Sequence, residues 1–317
     1  MPKYILRCAM PLMLLVVAPL AAQQPAAQQR AVLVTGASSG IGRKIAELLA
    51  AQGHFVYAGA RKAEDLEELS KIKNMQGVKL DVTVPADIAA AVEMVRKGGR
   101  GLHGVVNNAG IAILSPLIQT EEKELTSLFD VNVHGPYRIT KAFAPLIIES
   151  KGRVVNVSSI SGILSGAIFG PYSMSKHAIE AFADALSLEM NQFGVKVSLI
   201  EPGNYRSDIG RTTKVQVQAA AARAVGTPFE ATMKRMVTVM DNYETYPEPD
   251  EVAQAALHAL FDPAPKMRYM VVSNAREASV TINKAIEELV QLNQSHKFSF
   301  DRETLIRKLD SAMVRIP

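Results

Sequence analysis

From Ala31 onward, short runs of β-branched and apolar residues alternate with longer stretches in which apolar residues recur every three or four positions. The short runs predict strands at Ala31 to Thr35, Phe55 to Ala58, Val78 to Leu80, Gly104 to Asn107, Arg153 to Ser158, Lys196 to Ile200 and Arg268 to Val272. The longer stretches predict helices over 41–52, 64–73, 86–97, 121–149 and 172–193. Strands that alternate with helices in this way specify an α/β fold, a doubly wound seven-stranded parallel sheet with helices on both faces. The strand runs are continuously apolar rather than every second residue, as expected of strands buried on both faces.

No internal repeat and no Pro/Gly/Ser linker divides this region, which reads as a single domain over 30–275. The rhythm breaks between 205 and 247, where the chain is helical in composition and carries Ile209, Val215, Val217, Phe229, Met233, Met236, Val237 and Met240. A segment inserted after the carboxyl end of a strand is where a substrate lid sits. Met-rich apolar surface suits a pliable pocket for a lipophilic substrate, and equally a helix packing its own core. Two further helical patterns over 276–317 form a C-terminal helical extension.

The first 29 residues differ in character. Lys3 and Arg7 precede an apolar run from Ala9 to Leu20, and Gln- and Ala-rich chain follows. That order reads as a secretory signal or a short anchor, with membrane association through residues 1–22 as one outcome. The run falls short of the ~20 residues of a spanning helix, and Pro11 and Pro19 weaken it further.

With 48% hydrophobic and 21% charged residues the chain is globular, which excludes intrinsic disorder. Its net charge of +4 includes Lys3 and Arg7 of the leader, so the body is close to neutral and offers no field to recruit nucleic acid. The single cysteine, Cys8, excludes intrachain disulfides and Cys-based zinc sites. The six histidines show no metal-ligand spacing, so no metal is expected.

The first strand runs into Thr35-Gly36-Ala37-Ser38-Ser39-Gly40-Ile41-Gly42 and directly into a helix. Glycines at such a junction let a pyrophosphate approach the free N–H groups of the helix. The spacing lacks the Lys-Ser/Thr ending of a P-loop, which favours a dinucleotide and hydride chemistry over phosphoryl transfer. At the end of the second strand, Ala60 stands where NAD binders place an acid for the ribose hydroxyl, and Arg61 and Lys62 follow. Cations there favour a 2′-phosphate, so NADP(H) is expected in preference to NAD(H).

Tyr172-Ser-Met-Ser-Lys176 puts a phenol and an ammonium on one face of a helix. A neighbouring cation stabilises a phenolate, lowering a pKa that is otherwise about 10 and making the tyrosine a usable proton donor. The same spacing recurs at Tyr137 and Lys141, so position has to choose between them. Tyr172 follows the fifth strand and the serine at Ser159, at the strand end where a doubly wound sheet binds its ligands. Tyr137 lies inside a predicted helix and is expected to be structural.

Together these residues resemble the short-chain dehydrogenase/reductase family over roughly residues 31–275, with a Rossmann-like fold. Thr35 to Gly42 is similar to its cofactor loop, with Gly36, Ser38, Ser39, Gly40, Ile41 and Gly42 as contacts. Asp81-Val82 matches its adenine contact, and Asn107-Asn108-Ala109-Gly110 its motif after the fourth strand. Pro202-Gly203 matches its turn beside the nicotinamide, Asn132 its active-site asparagine, and Ser159, Tyr172 and Lys176 the rest of its catalytic set. Two positions depart from the usual pattern: Ser207 stands where many members have Thr, and Asn204-Tyr205 is bulkier than the usual pair.

The resemblance implies carbonyl/alcohol hydride transfer. Ser159 holds the substrate oxygen, Tyr172 exchanges a proton with it, Lys176 binds the nicotinamide ribose and depresses the tyrosine pKa, and Asn132 holds a water in a relay. It also implies pairing of subunits through the two long helices, as a homodimer or homotetramer. The expected function is an NADP(H)-dependent oxidoreductase acting on a lipophilic alcohol or ketone, such as a steroid-like or retinoid-like one. A non-catalytic dinucleotide sensor or scaffold, and an epimerase or dehydratase of the extended type, are the alternatives. Because the NADPH pool is intracellular, a cytosol-facing body is expected, with export by the leader as the other possibility.

Overall fold

The computed structural model describes residues 29–316. The leader predicted over 1–29 therefore lies, but for its last residue, outside the described residues. Seven parallel strands form one sheet in the order β3-β2-β1-β4-β5-β6-β7. They are β1 (Ala31–Val34), β2 (Phe55–Ala60), β3 (Met75–Lys79), β4 (Gly104–Asn107), β5 (Arg153–Val157), β6 (Lys196–Pro202) and β7 (Arg268–Val271). The connecting helices are α1 (Gly40–Ala51), α2 (Ala63–Ser70), α3 (Pro85–Lys97), α4 (Glu122–Phe129), α5 (Gly135–Glu149) and α6 (Gly170–Asn191). Beyond β6 come α7 (Asp208–Arg223), α8 (Glu230–Asp241), α9 (Asp250–Phe261), α10 (Ala275–Leu292) and α11 (Arg302–Arg315). The fold is the expected Rossmann-like one, and among the described residues no helix is long and apolar enough to cross a membrane.

Two apolar layers sandwich the sheet, and the two-residue period of a strand divides its side chains between them. Val32 and Val34 of β1 face α1 and α9, packing with Ile45, Leu49, Val252 and Ala256. Ala31 and Leu33 face the other way, toward Ile139, Phe143 and Ile147 of α5 and Ile179 of α6. Every residue of β1 is buried, which is why its sequence reads as an unbroken apolar run.

Two elements depart from expectation. Strand β3 starts three residues earlier than predicted, at Met75, because Met75-Gln76-Gly77 is held by pairing with Val56 to Ala58 rather than by an apolar pattern of its own. The helix predicted over 121–149 is interrupted by a π-helical turn at Asp130–His134. Pro136, at the start of α5, has no N–H to give the carbonyl of Asn132, so the regular α-type bond cannot form there. Such widened turns recur at functional sites, and this one carries Asn132.

Helices α7 and α8 of the 205–247 segment form a small core of their own from Val217, Ala220, Ala224 and Met233, against Leu114 and Ile168. The strand order reverses on either side of β1, so the loops after β1 and β4 diverge and leave a crevice at the carboxyl edge of the sheet. Leu33, wholly buried in β1 between β2 and β4, has no room to be replaced by solvent. Leu33→Ala should cost about 3 kcal/mol, read as a lowered midpoint of urea unfolding with unchanged slope.

Candidate active site

A single cavity of about 910 Å³ fills that crevice. Its floor is the loop after β1, which the sequence identified by its glycines. Gly36 and Gly40 have φ of +64° and +54°, in the left-handed region where glycine is tolerated best. A Cβ on Gly40 would also lie 2.8 Å from the Cβ of Ser207, so the close approach of the two loops needs the missing side chain. Ser38, Ser39, Gly40 and Ile41 line the cavity at the start of α1. That helix has no side-chain cap and no acid in its first turn. Its first N–H groups and its dipole are therefore left for an anionic ligand.

The neighbouring loop after β4 braces this floor. The Thr35 hydroxyl accepts from the backbone N–H of Asn108 (2.9 Å) and of Ala109 (3.0 Å). In return the Asn108 amide donates to the carbonyls of Thr35 (3.0 Å) and Gly36 (3.2 Å). Asn107 is buried and donates to Thr140 and Asn156, bonding β4 to α5 and β5. Asn108, Ala109 and Gly110 line the cavity, whereas Asn107 stays within the core.

At one end of the cavity stand Arg61, Lys62, Asp81 and Val82. The Arg61 guanidinium is 3.9 Å from the Asp81 carboxylate, and Lys62 lies 3.5 Å from Glu64. Burial alone would raise Asp81, but two hydrogen bonds from Thr83 and the charge of Arg61 outweigh it and hold the carboxyl below its ordinary range. Arg61 and Lys62 are both largely exposed, so neither is locked against a new partner.

The other end brings together Ser159, Tyr172 and Lys176. Ser159 lies two residues beyond β5, its hydroxyl accepting from Ser161 N–H at 3.1 Å and lying 3.5 Å from the Pro202 carbonyl. Tyr172 and Lys176 come from the first two turns of α6, with the ammonium 5.6 Å from the centre of the tyrosine ring. Lys176 donates to the carbonyl of Val157 at 3.0 Å. Burial pushes the Tyr172 phenol up to about 12, with the Ser159 hydroxyl pulling the other way. Burial also pulls the Lys176 ammonium down to about 8, against the charge of Glu180. Desolvation thus sets the direction of the shift at both groups.

Asn132 lies behind this trio rather than in the cavity. Its amide exchanges bonds of 2.9 Å with both backbone groups of Ile111, and donates to Ser175 Oγ at 3.0 Å. Ser175 in turn donates to the Tyr172 carbonyl at 2.7 Å. Sequence reasoning missed Ser175, although its place inside the Tyr-to-Lys interval is a signal. It also missed Glu277 of α10, for which the chain offers no cue. Glu277 is buried and accepts from Asn204 N–H and Nδ2 and from Ser273 N–H, tying α10 to the turn after β6.

Pro202, Gly203, Asn204, Tyr205 and Ser207 line the cavity on that side. The Tyr205 hydroxyl donates to Glu251 at 2.8 Å, so its ring lines the wall while its polar end points elsewhere. Of the aliphatic residues in the 205–247 segment, Ile209, Met236, Val239 and Met240 reach the cavity, while Val217 and Met233 are consumed by packing. Tyr137 and Lys141 also meet, at 3.4 Å, but on an exposed face of α5 away from the cavity lining.

Comparison with known proteins agrees with this architecture. The family model for short chain dehydrogenases matches residues 30–220. The mitochondrial D-beta-hydroxybutyrate dehydrogenase of Mus musculus is 34% identical over 269 residues, covering 78% of each chain. The NADPH-dependent 3-dehydrocapnine reductase of Ornithobacterium rhinotracheale is 35% identical over 257 residues, covering 76% of this chain and 88% of its own. The crystal structure of a short-chain dehydrogenase from Streptomyces avermitilis superposes with a TM-score of 0.70 at 29% identity, over 84% of this chain and 95% of that one. The chain belongs to the short-chain dehydrogenase/reductase family. It is an oxidoreductase acting on CH–OH groups.

The loop geometry generates a direct test. Gly40→Val places a branched side chain at positive φ and against Ser207. Binding of NADH or NADPH, followed by fluorescence titration, should weaken roughly tenfold or more, about 1.4 kcal/mol, while the circular dichroism spectrum stays that of the folded chain.

Proposed function

We propose that the protein catalyses NADP(H)-dependent interconversion of a carbonyl compound and a secondary alcohol, with a lipophilic substrate. The observation that carries this reading is the convergence of Ser159, Tyr172 and Lys176 on the cavity whose floor is the glycine loop. A dinucleotide fits the residues present. The positive-φ glycines and the uncapped start of α1 form a cradle free of side chains for a pyrophosphate. Arg61 and Lys62 supply exposed cations after β2, where an adenosine 2′-phosphate is read. When bound, the nicotinamide supplies or accepts the hydride.

The chain's own residues account for the rest. Ser159 orients the substrate oxygen. The Tyr172 Oη holds the proton that passes to or from that oxygen, and burial keeps it protonated through the neutral range. Lys176 retains its proton at neutral pH and is fixed by the Val157 carbonyl. Asn132, its amide fully engaged, fastens Ser175 and through it the Tyr172 backbone.

The wall opposite, with Leu114, Leu164, Ile209, Met236 and Met240, supports an apolar substrate. Residues 205–247 then serve as the lid. In this reading the catalytic body spans 30–275, faces the cytosol where NADPH is available, and assembles as a homodimer or homotetramer.

Two variants test the assignment against a panel of ketones and secondary alcohols. Tyr172→Phe should leave NADPH binding within about twofold and remove turnover, whereas near wild-type rates would sink the role. Arg61→Asp should raise the Michaelis constant for NADPH by roughly tenfold more than that for NADH, and an equal change in both would overturn the cofactor preference.

A further inference from the structure

Behind Lys176, on the side away from the cavity, lies a group of acids that the proposed reaction does not use. Glu180 follows Lys176 by one turn of α6 and is buried. Glu201, near the end of β6, is 2% exposed. Arg268 of β7 faces both: its Nε lies 3.3 Å from Glu180 Oε2 and 3.3 Å from Glu201 Oε1. Its Nη2 is committed to Asp184, the next acid along α6, at 2.8 Å.

The arithmetic of donors leaves this group incomplete. The guanidinium Nε has a single N–H to offer two carboxyls. Glu180 Oε1, Glu180 Oε2 and Glu201 Oε1 are all shut off from solvent without a hydrogen-bond donor. Three acids thus face one guanidinium, and two of them are buried side by side. Two carboxylates so placed repel strongly in a low-dielectric interior, whereas one proton between them relieves the repulsion and supplies the missing donor. Burial, then the nearby Glu180 charge, pushes Glu201 well above the ordinary carboxylate range, with Arg268 opposing.

The acids adjoin the catalytic end of β5. A Cβ on Gly162 would lie 2.8 Å from Glu180 Oε1 and 3.0 Å from Ser158 Oγ, a hydroxyl that is likewise buried without a partner. Ser158 sits between Val157, whose carbonyl holds Lys176, and Ser159. The charge of Glu180 is also what opposes the loss of the Lys176 proton on burial.

We propose that Glu180 and Glu201 share a single proton and that the charge left on the pair keeps Lys176 in its ammonium form. The sharing stands on the geometry of the cluster; its use in catalysis rests on the role given to Lys176 above. The groups facing the pair are Lys176 and Asp184 from α6, Arg268 from β7 and the Ser158 hydroxyl from the turn after β5.

The test uses the full chain and needs no turnover, so a failed assignment of the reaction and a failed proposal give different results. An acid kept protonated by the fold binds more protons folded than unfolded. Stability therefore falls as pH rises from the unfolded carboxyl value toward the folded one. The melting temperature of the wild type should accordingly drop across that window more than that of Glu201→Gln or Glu180→Gln, and the double variant should be no flatter than either single one. Equal slopes in all four proteins would overturn the sharing.

Carbon-13 spectra of glutamate-labelled protein read the proton directly. One carboxyl should titrate above about pH 6, beyond the usual glutamate range, and should vanish in each single variant. Its absence from the wild type refutes the proposal even if neither variant folds. In lysine-labelled protein, the lowest lysine midpoint, assigned by its loss in Lys176→Met, should fall further in the double variant, which carries no charge at either acid. An unmoved midpoint would remove the link to Lys176.

Discussion

The hydroxyl of Thr35 is the point on which the site depends. It sits at the end of β1, where the strand order turns from one side of the sheet to the other, and it accepts two backbone N–H groups from the loop after β4. The Asn108 amide returns two bonds to the Thr35 and Gly36 carbonyls. Two diverging loops are thereby held at a fixed separation by the side chains of Thr35 and Asn108. That separation is the cavity floor. Loops of this kind otherwise have the most freedom of any segment in a fold of this class, and binding geometry at a helix start tolerates little of it.

Burial and charge work against each other at the far end of the same cavity. Desolvation favours the neutral form of both Tyr172 and Lys176, which suits a proton donor but weakens the cation beside it. The fold answers with geometry: Lys176 is bonded to the Val157 carbonyl, and Glu180 stands one turn behind it. The buried acids at 180 and 201 are costly to keep, and their cost is lowered by Arg268 reaching across from β7. A strand at the edge of the sheet thus reaches acids that stand one turn behind Lys176 on α6 and near the end of β6.

Much of this was legible along the chain. The strands were visible as apolar runs because both faces of the sheet are covered, and the glycine loop was visible because close approach of backbone to a ligand demands it. Order along the chain pointed to Tyr172 rather than Tyr137, and the structure puts the former on the cavity lining and the latter on an exposed face of α5. The boundaries that misled were those set by neighbours. The start of β3 is made by pairing with β2, and the break at Asp130–His134 arises from a proline that pattern reading carried through as helix.

The sequence by itself determined the class of fold, the glycine loop after β1 and which serine, tyrosine and lysine would meet near it, because each of these is a local requirement of backbone geometry or of side-chain spacing on one element. Tertiary structure alone decided that Asn132 spends its amide on Ile111 and Ser175, that Glu277 fastens α10 to the turn after β6, and that Glu180, Glu201 and Arg268 meet. Those partners are 21 to 73 residues apart and on different elements, or, for the acids and Arg268, on three separate elements. Their chemistry depends on distance and burial, which the linear chain does not encode until the sheet has brought its strand ends together.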